Sequence, residues 1–249
     1  MNLIDKFNNS IQPNLDLYTY NNKTRIGNLQ EKTLHKALKD LYGEEQNQEI
    51  KIGPYYVDVL NGNDIIEIQT KQFNRLREKL TYLISLNQYN INIVFPVFNS
   101  KIIYWINEET GEISKGNKSP KKLKIPQVFY ELYKIKSLLK KITVTLVILD
   151  IDEYRNLNGY SANKKRGSSC YERIPKQMID IIELKNNNDY LHLLPNLEEP
   201  FTSQSLAKAT SVSTRYSNLM LNVLVYLGCI NIIGKEGKKY LYSKNWVKI

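Results

Sequence analysis

Residues 55–70 read YYVDVLNGNDIIEIQT. Two runs rich in Val, Ile and Tyr flank Asn61-Gly62-Asn63-Asp64, a strong hairpin turn signal, so Tyr55–Leu60 and Ile65–Thr70 are expected to pair as antiparallel strands. A four-residue turn sets Leu60 against Ile65 and, two residues further in, Asp58 against Glu67. Side chains alternate along a strand, so Glu67 and Gln69 point one way and Ile66, Ile68 and Thr70 the other. Two directly opposed carboxylates repel, and a stable hairpin avoids that pairing unless a cation sits between them.

Working outward, Asn28–Tyr42 carries Leu34, Ala37, Leu38 and Leu41 at helical spacing. Glu31 borders that apolar face and can lean toward the sheet. Glu49–Ile52 reads as a strand set off by Gly53-Pro54, and Phe73–Asn87 as a helix with Leu76, Leu80, Leu83 and Ile84 on one face. Ile91–Phe98 is a nearly continuous apolar run, the pattern of a strand buried on both faces. Lys101–Ile106 follows as a separate strand, then a basic loop over Lys115–Lys124, a helix over Val128–Leu139 and a strand over Thr143–Asp150. The order is that of an α/β fold, a mixed sheet flanked by helices. Glu31, Asp58, Glu67 and Gln69 would then converge as an oxygen-rich group suited to Mg²⁺. Read singly, each acid is an ordinary surface residue, and Asp58 has Lys51 and Lys71 as candidate partners.

The helix, three-strand meander, helix, strand order, with an acid on the second strand and an acid-x-residue motif on the third, resembles the PD-(D/E)XK, or restriction-endonuclease-like, nuclease superfamily over residues 25 to 110. The resemblance implies Mg²⁺ held by Asp58 and Glu67 with help from Glu31, Mn²⁺ being a possible substitute, and hydrolysis of DNA phosphodiester bonds. Val57, not proline, precedes Asp58, and Gln69 stands where the family has its lysine. Lys71 can supply the cation; alternatively the bound metal acidifies water without it, or the site binds DNA without cutting it. Arg75, Arg77 and Lys79 on the following helix would track the backbone.

Residues 154–170 are polar and contain Asn158-Gly159 and Gly167-Ser168-Ser169. The expected division is a nuclease domain over 1–153, a linker over 154–172 and a second domain over 173–249. The latter reads as helices over Ile174–Lys185, Ser203–Thr210 and Ser213–Leu227, then a hairpin over Cys229–Ser243. Its last three elements resemble a winged helix-turn-helix, capped by Thr202 or Ser203, with Leu219, Val223 and Tyr226 buried and Gly228 ending the second helix. In such a module Ser213, Thr214 and Arg215 reach base edges or phosphates, Arg215 being the guanine reader.

The 249 residues hold 35 Lys and Arg against 25 Asp and Glu, a formal net charge of +10. An excess of that size suits a phosphate-bearing partner. The clusters that would contact it include Lys121 and Lys122, Arg166 within Lys164-Lys165-Arg166, and Lys235, Lys238 and Lys239. With 42% apolar residues, 11 Gly and 8 Pro, the chain has the composition of a folded protein. Two distant cysteines, Cys170 and Cys229, argue against a disulfide scaffold or a zinc cluster. No apolar run is long enough to span a membrane and no secretory signal opens the chain, so a cytoplasmic protein is expected. His35 reads as a helix-surface histidine, with a role behind the carboxylates as the alternative; His192 reads as core. The expected function is a Mg²⁺-dependent endonuclease acting on double-stranded DNA, as a homodimer where both strands are cut. The alternatives are a DNA-binding regulator with a degenerate nuclease fold and, failing DNA binding, a protein-interaction platform.

Overall fold

A computed structural model describes residues 2–11, 33–120, 125–157 and 168–245. Its centre is a seven-stranded mixed sheet. The strands are β1 (Gln48–Ile52), β2 (Tyr55–Asn61), β3 (Asp64–Ile68), β4 (Asn90–Ile106), β5 (Asn117–Lys118), β6 (Thr143–Asn156) and β7 (Cys170–Leu184). They lie in the order β1-β2-β3-β4-β6-β7, with β5 paired to β4. The β1–β2–β3 meander is antiparallel, β3–β4 and β4–β6 are parallel, and β7 returns antiparallel along β6. The expected register of the first hairpin holds: Leu60 faces Ile65, and Gly62, at φ +59°, takes the left-handed turn that asparagine-glycine pairs favour.

Helices cover both faces. On one, α1 (Leu3–Ile11) and α2 (Thr33–Tyr42) bury Phe7, Leu34, Leu38 and Leu41 against Val59, Ile66, Ile68, Val94, Val147 and Leu149. On the other, α3 (Arg77–Ser85) and α4 (Phe129–Lys134) bury Leu80, Leu83, Phe129 and Leu132 against Ile65, Ile93, Phe95 and Leu146. Ile93 and Val94 go to opposite clusters, so the apolar run of β4 is what a strand covered on both faces requires.

Beyond the sheet come α5 (Asn187–His192), α6 (Ser203–Thr210), α7 (Thr214–Leu227) and a hairpin of β8 (Ile230–Glu236) and β9 (Lys239–Lys244). Thr202 caps α6 and shares a capping box with Ser205; Ser213 caps α7, and Gly228 closes it at φ +80°. Met220, Leu221 and Leu224 of α7 enter the same core cluster as Phe129 and Leu132 of α4.

Several expectations are corrected. Residues 174–185 are not a helix: Cys170–Leu184 is strand β7. Ile174 and Met178, both buried, stand four residues apart, a spacing that a helix and a strand share, and register shifts along the pairing with β6 blur the alternation that would tell them apart. Both ends of the linker expected over 154–172 belong to strands instead, because β6 runs to Asn156 and β7 begins at Cys170. Lys101–Ile106 continues β4 rather than forming a strand of its own, and within Val128–Leu139 only Phe129–Lys134 is α-helical, with 3₁₀ turns on either side. Tyr226 and His192 are exposed, not core. Residues 28–32, with Glu31, and Lys121, Lys122 and Arg166 lie outside the described residues. No helix among the described residues is long and apolar enough to cross a membrane.

Candidate active site and basic C-terminal surface

The ladder between β2 and β3 runs from Asn61 and Asp64 to Val59 and Ile66. Past that point a side chain takes over: Asp58 Oδ2 accepts a 2.7 Å hydrogen bond from the Ile68 amide. Asp58 and Glu67 therefore meet where the two strands part. Glu67 sits between Ile66 and Ile68, which pack beneath α2, so alternation sends it toward α3. There its Oε1 lies 2.5 Å from Lys79 Nζ of α3. That contact is an ion pair, and it occupies the buried oxygen.

From the other side of the sheet α2 supplies His35. Its Nε2 is 3.4 Å from Asp58 Oδ2 and 3.2 Å from the Ile68 carbonyl, so a proton on it serves both acceptors. Burial alone would push Asp58 up. The hydrogen bond and charge of His35, the Ile68 amide and Lys79 outweigh it and hold Asp58 below the ordinary carboxylate range. Glu67 goes the other way. Burial and the charge of Asp58 push it up to about 7, against the pull of Lys79. Two carboxylates whose environments drive their ionisation apart mark a functional site more often than a scaffold.

The other residues expected here stand apart. Gln69 follows the end of β3; its backbone amide extends the ladder to the Val94 carbonyl, while its side-chain amide donates to the Lys71 carbonyl. Lys71 is exposed. The cation at the carboxylates is Lys79, which sequence reasoning had set to tracking the nucleic-acid backbone. His35 takes the place behind the carboxylates that was its alternative reading, and the two residues carry the same signal: Lys79 adjoins Leu80, and His35 adjoins Leu34, at the border of an apolar helical stripe. Such a position aims a polar group at the rim of the buried sheet.

Two carboxylates from different strands offer the hard oxygen donors a divalent cation takes, with Lys79 Nζ standing at Glu67 Oε1 in its place. Among the described residues no group of three or more His, Cys, Asp and Glu side chains is placed to hold a metal ion.

At the C-terminal end, Thr214, Arg215, Asn218, Asn222 and Tyr226 form the exposed stripe of α7, and Ser213, Lys235, Lys238 and Lys239 are exposed too. A groove of about 640 Å³ separates this stripe from the β8–β9 hairpin, with Lys136, Asn218, Asn222, Lys238, Lys239 and Tyr240 on its walls. Lys136 donates to Asn222 at 2.7 Å, and both Lys136 and Lys140 lie over the Tyr226 ring. Cys229 is buried and its thiol pushed up to about 12 by that burial, which makes it inert.

No curated protein and no solved structure matches the chain. A family profile matches residues 32–185, from the start of α2 to the end of β7. Over that span, well over half its length, the chain belongs to the family described as Domain of unknown function (DUF8091).

Proposed function

We propose that this protein is a metal-dependent nuclease that hydrolyses DNA phosphodiester bonds, with Asp58 and Glu67 as its metal ligands. The observation that carries the reading is Glu67, a buried carboxylate kept beside a second carboxylate and pushed up to about 7. Holding two acids together away from water is unfavourable unless a cation joins them. An all-oxygen donor set suits Mg²⁺, with Mn²⁺ as a substitute. When bound, such an ion supplies acidity to a water nucleophile and positive charge to the phosphate oxygens.

The chain's own residues do the rest. His35 fixes the orientation of Asp58 from behind. Lys79 neutralises Glu67 and, once Glu67 has another cation, frees its ammonium to meet a phosphate oxygen. Gln69 is neutral and cannot act as a base. Glu31 belongs to this reading as a third carboxylate, four residues before His35.

The helix, helix, hairpin order of α6, α7, β8 and β9 supports a winged helix-turn-helix that holds duplex DNA. On this reading the Thr214–Asn218–Asn222 stripe and Arg215 address the groove, and Lys235, Lys238 and Lys239 the backbone. A non-catalytic DNA-binding protein is the second reading. It is favoured by the Glu67–Lys79 contact, which already closes the site, and by a Gln69 amide occupied elsewhere.

The test is incubation of plasmid and linear DNA with Mg²⁺, Mn²⁺ or EDTA, beside Glu67→Ala and Lys79→Met. Cleavage that needs the metal and drops on the order of 100-fold or more in Glu67→Ala is the expected result. Salt-sensitive DNA binding by all three proteins, with no cleavage by any, selects the second reading.

A further inference from the structure

Beyond Ile68, whose partner is Val94, β3 stops while β4 continues to Ile106, with β6 and β7 beside it. An extension of β4, β6 and β7, edged by the short β5, thus runs on from the end of the sheet that carries the carboxylates. On it lies Glu153, fully buried. Arg155 reaches its Oε1 through Nε at 2.6 Å and through a terminal nitrogen at 2.5 Å; Lys101 approaches the same oxygen at 3.2 Å; Arg173 Nε donates to Oε2 at 2.9 Å. Among the described residues, Glu153 is the one carboxylate these cations pair with, so three positive charges face one negative.

The Arg155 guanidinium lies 6.0 Å from the Trp105 ring centre and that of Arg173 5.4 Å from Phe98, which holds both planes in place. Both arginines keep about 29% of their side-chain surface exposed. A partly buried excess of two charges is poorly stabilised by water, and a fixed guanidinium fork matches the two free oxygens of a phosphodiester. Glu153 pairs with Ile103 and Glu67 with Ile93, ten residues apart along β4, which at strand rise is roughly 30 Å.

We propose that Lys101, Arg155 and Arg173 form a phosphodiester-binding site that grips nucleic-acid backbone roughly 30 Å from the Asp58–Glu67 pair. The choice of backbone over a free phosphate rests on the nucleic-acid reading above; the anion chemistry does not.

Arg173→Gln, Arg155→Gln and Lys101→Gln each leave Glu153 two cations, and a variant counts as folded when it keeps a single cooperative melting transition. Duplex affinity is measured by anisotropy in EDTA with a 30-base-pair probe across a salt series, and inorganic phosphate is titrated in parallel by melting temperature. A folded variant should bind the duplex roughly fivefold more weakly, with the slope of log affinity against log salt reduced by about 1. Phosphate should stabilise the wild type and not that variant. Unchanged duplex affinity and salt slope in a folded variant overturn the proposal. Phosphate stabilisation confined to the wild type, with no duplex bound by any protein, keeps the anion site, assigns it to free phosphate and removes the nucleic-acid reading instead.

Discussion

Ionising Glu67 places a second negative charge beside Asp58 in a site that excludes water, and the cost falls on the folded state. The group titrates near 4.5 when unfolded and at about 7 when folded. Below 4.5 both states are protonated and the folded state keeps its full stability; as pH rises from 4.5 through 7 that contribution is lost. The size is set by the gap, roughly 3 kcal/mol at most. Glu67→Gln is therefore expected to melt higher than the wild type at pH 8 and close to it at pH 4.5. Mg²⁺ should raise the wild-type melting temperature at pH 8 and leave the variant unmoved. Scanning calorimetry at the two pH values, with and without Mg²⁺, checks both points; a variant that melts below the wild type at pH 8 sinks the account. Glu153 is the opposite case. Burial would push it up, but Arg173, Arg155 and Lys101 hold it down to about 2. Its contribution is present above the ordinary carboxylate range and disappears as pH falls through 2. Glu153→Ala leaves three cations facing one another and should lose on the order of 3 kcal/mol or more by urea unfolding at pH 7, less at pH 3.

Elements hold these residues in place through local devices that the sequence shows clearly. The turn between β1 and β2 is made by Gly53-Pro54, with Gly53 at φ +58°. A Cβ there would come 2.1 Å from the Tyr82 hydroxyl, and the backbone conformation itself disfavours a side chain. Gly53→Ala is expected to destabilise by about 1–3 kcal/mol and to weaken metal binding by shifting β2 under Asp58. Chemical denaturation and Mn²⁺ titration measure the two effects. Asn61-Gly62, the hairpin register, the cap at Thr202 and the stop at Gly228 were all legible because each is a local rule, satisfied within a few residues. What was not legible depended on partners far along the chain. The spacing of Ile174 and Met178 fits a helix and a strand alike, and only the pairing with β6 reveals the segment as β. The Asp58–Glu67 pair could be read from hairpin register, whereas His35 and Lys79 reach it from helices on opposite faces of the sheet, and no periodicity states which element those helices cover.

At the scale of the whole molecule the same limit applies to the boundary between its two parts. A polar stretch near 154–170 reads as a linker, yet its described ends belong to the sheet, as the end of β6 at Asn156 and the start of β7 at Cys170. What joins the C-terminal helices to the sheet is apolar. Phe129 and Leu132 of α4, Met220, Leu221 and Leu224 of α7, and Phe201 share one cluster with Leu80, Ile93 and Leu146 of the sheet layer. Buried apolar area of that kind couples the parts energetically, since opening one exposes the other to water. Thermal unfolding of the full chain should then be a single transition, with equal calorimetric and van't Hoff enthalpies. A fragment ending at Lys185, the last residue of the family match, would bare the faces of Phe129 and Leu132 that α7 covers. It is expected to melt well below the intact protein or to aggregate. Two resolved transitions in the full chain, or a fragment as stable as the whole, would show instead that the C-terminal unit folds as a detachable domain.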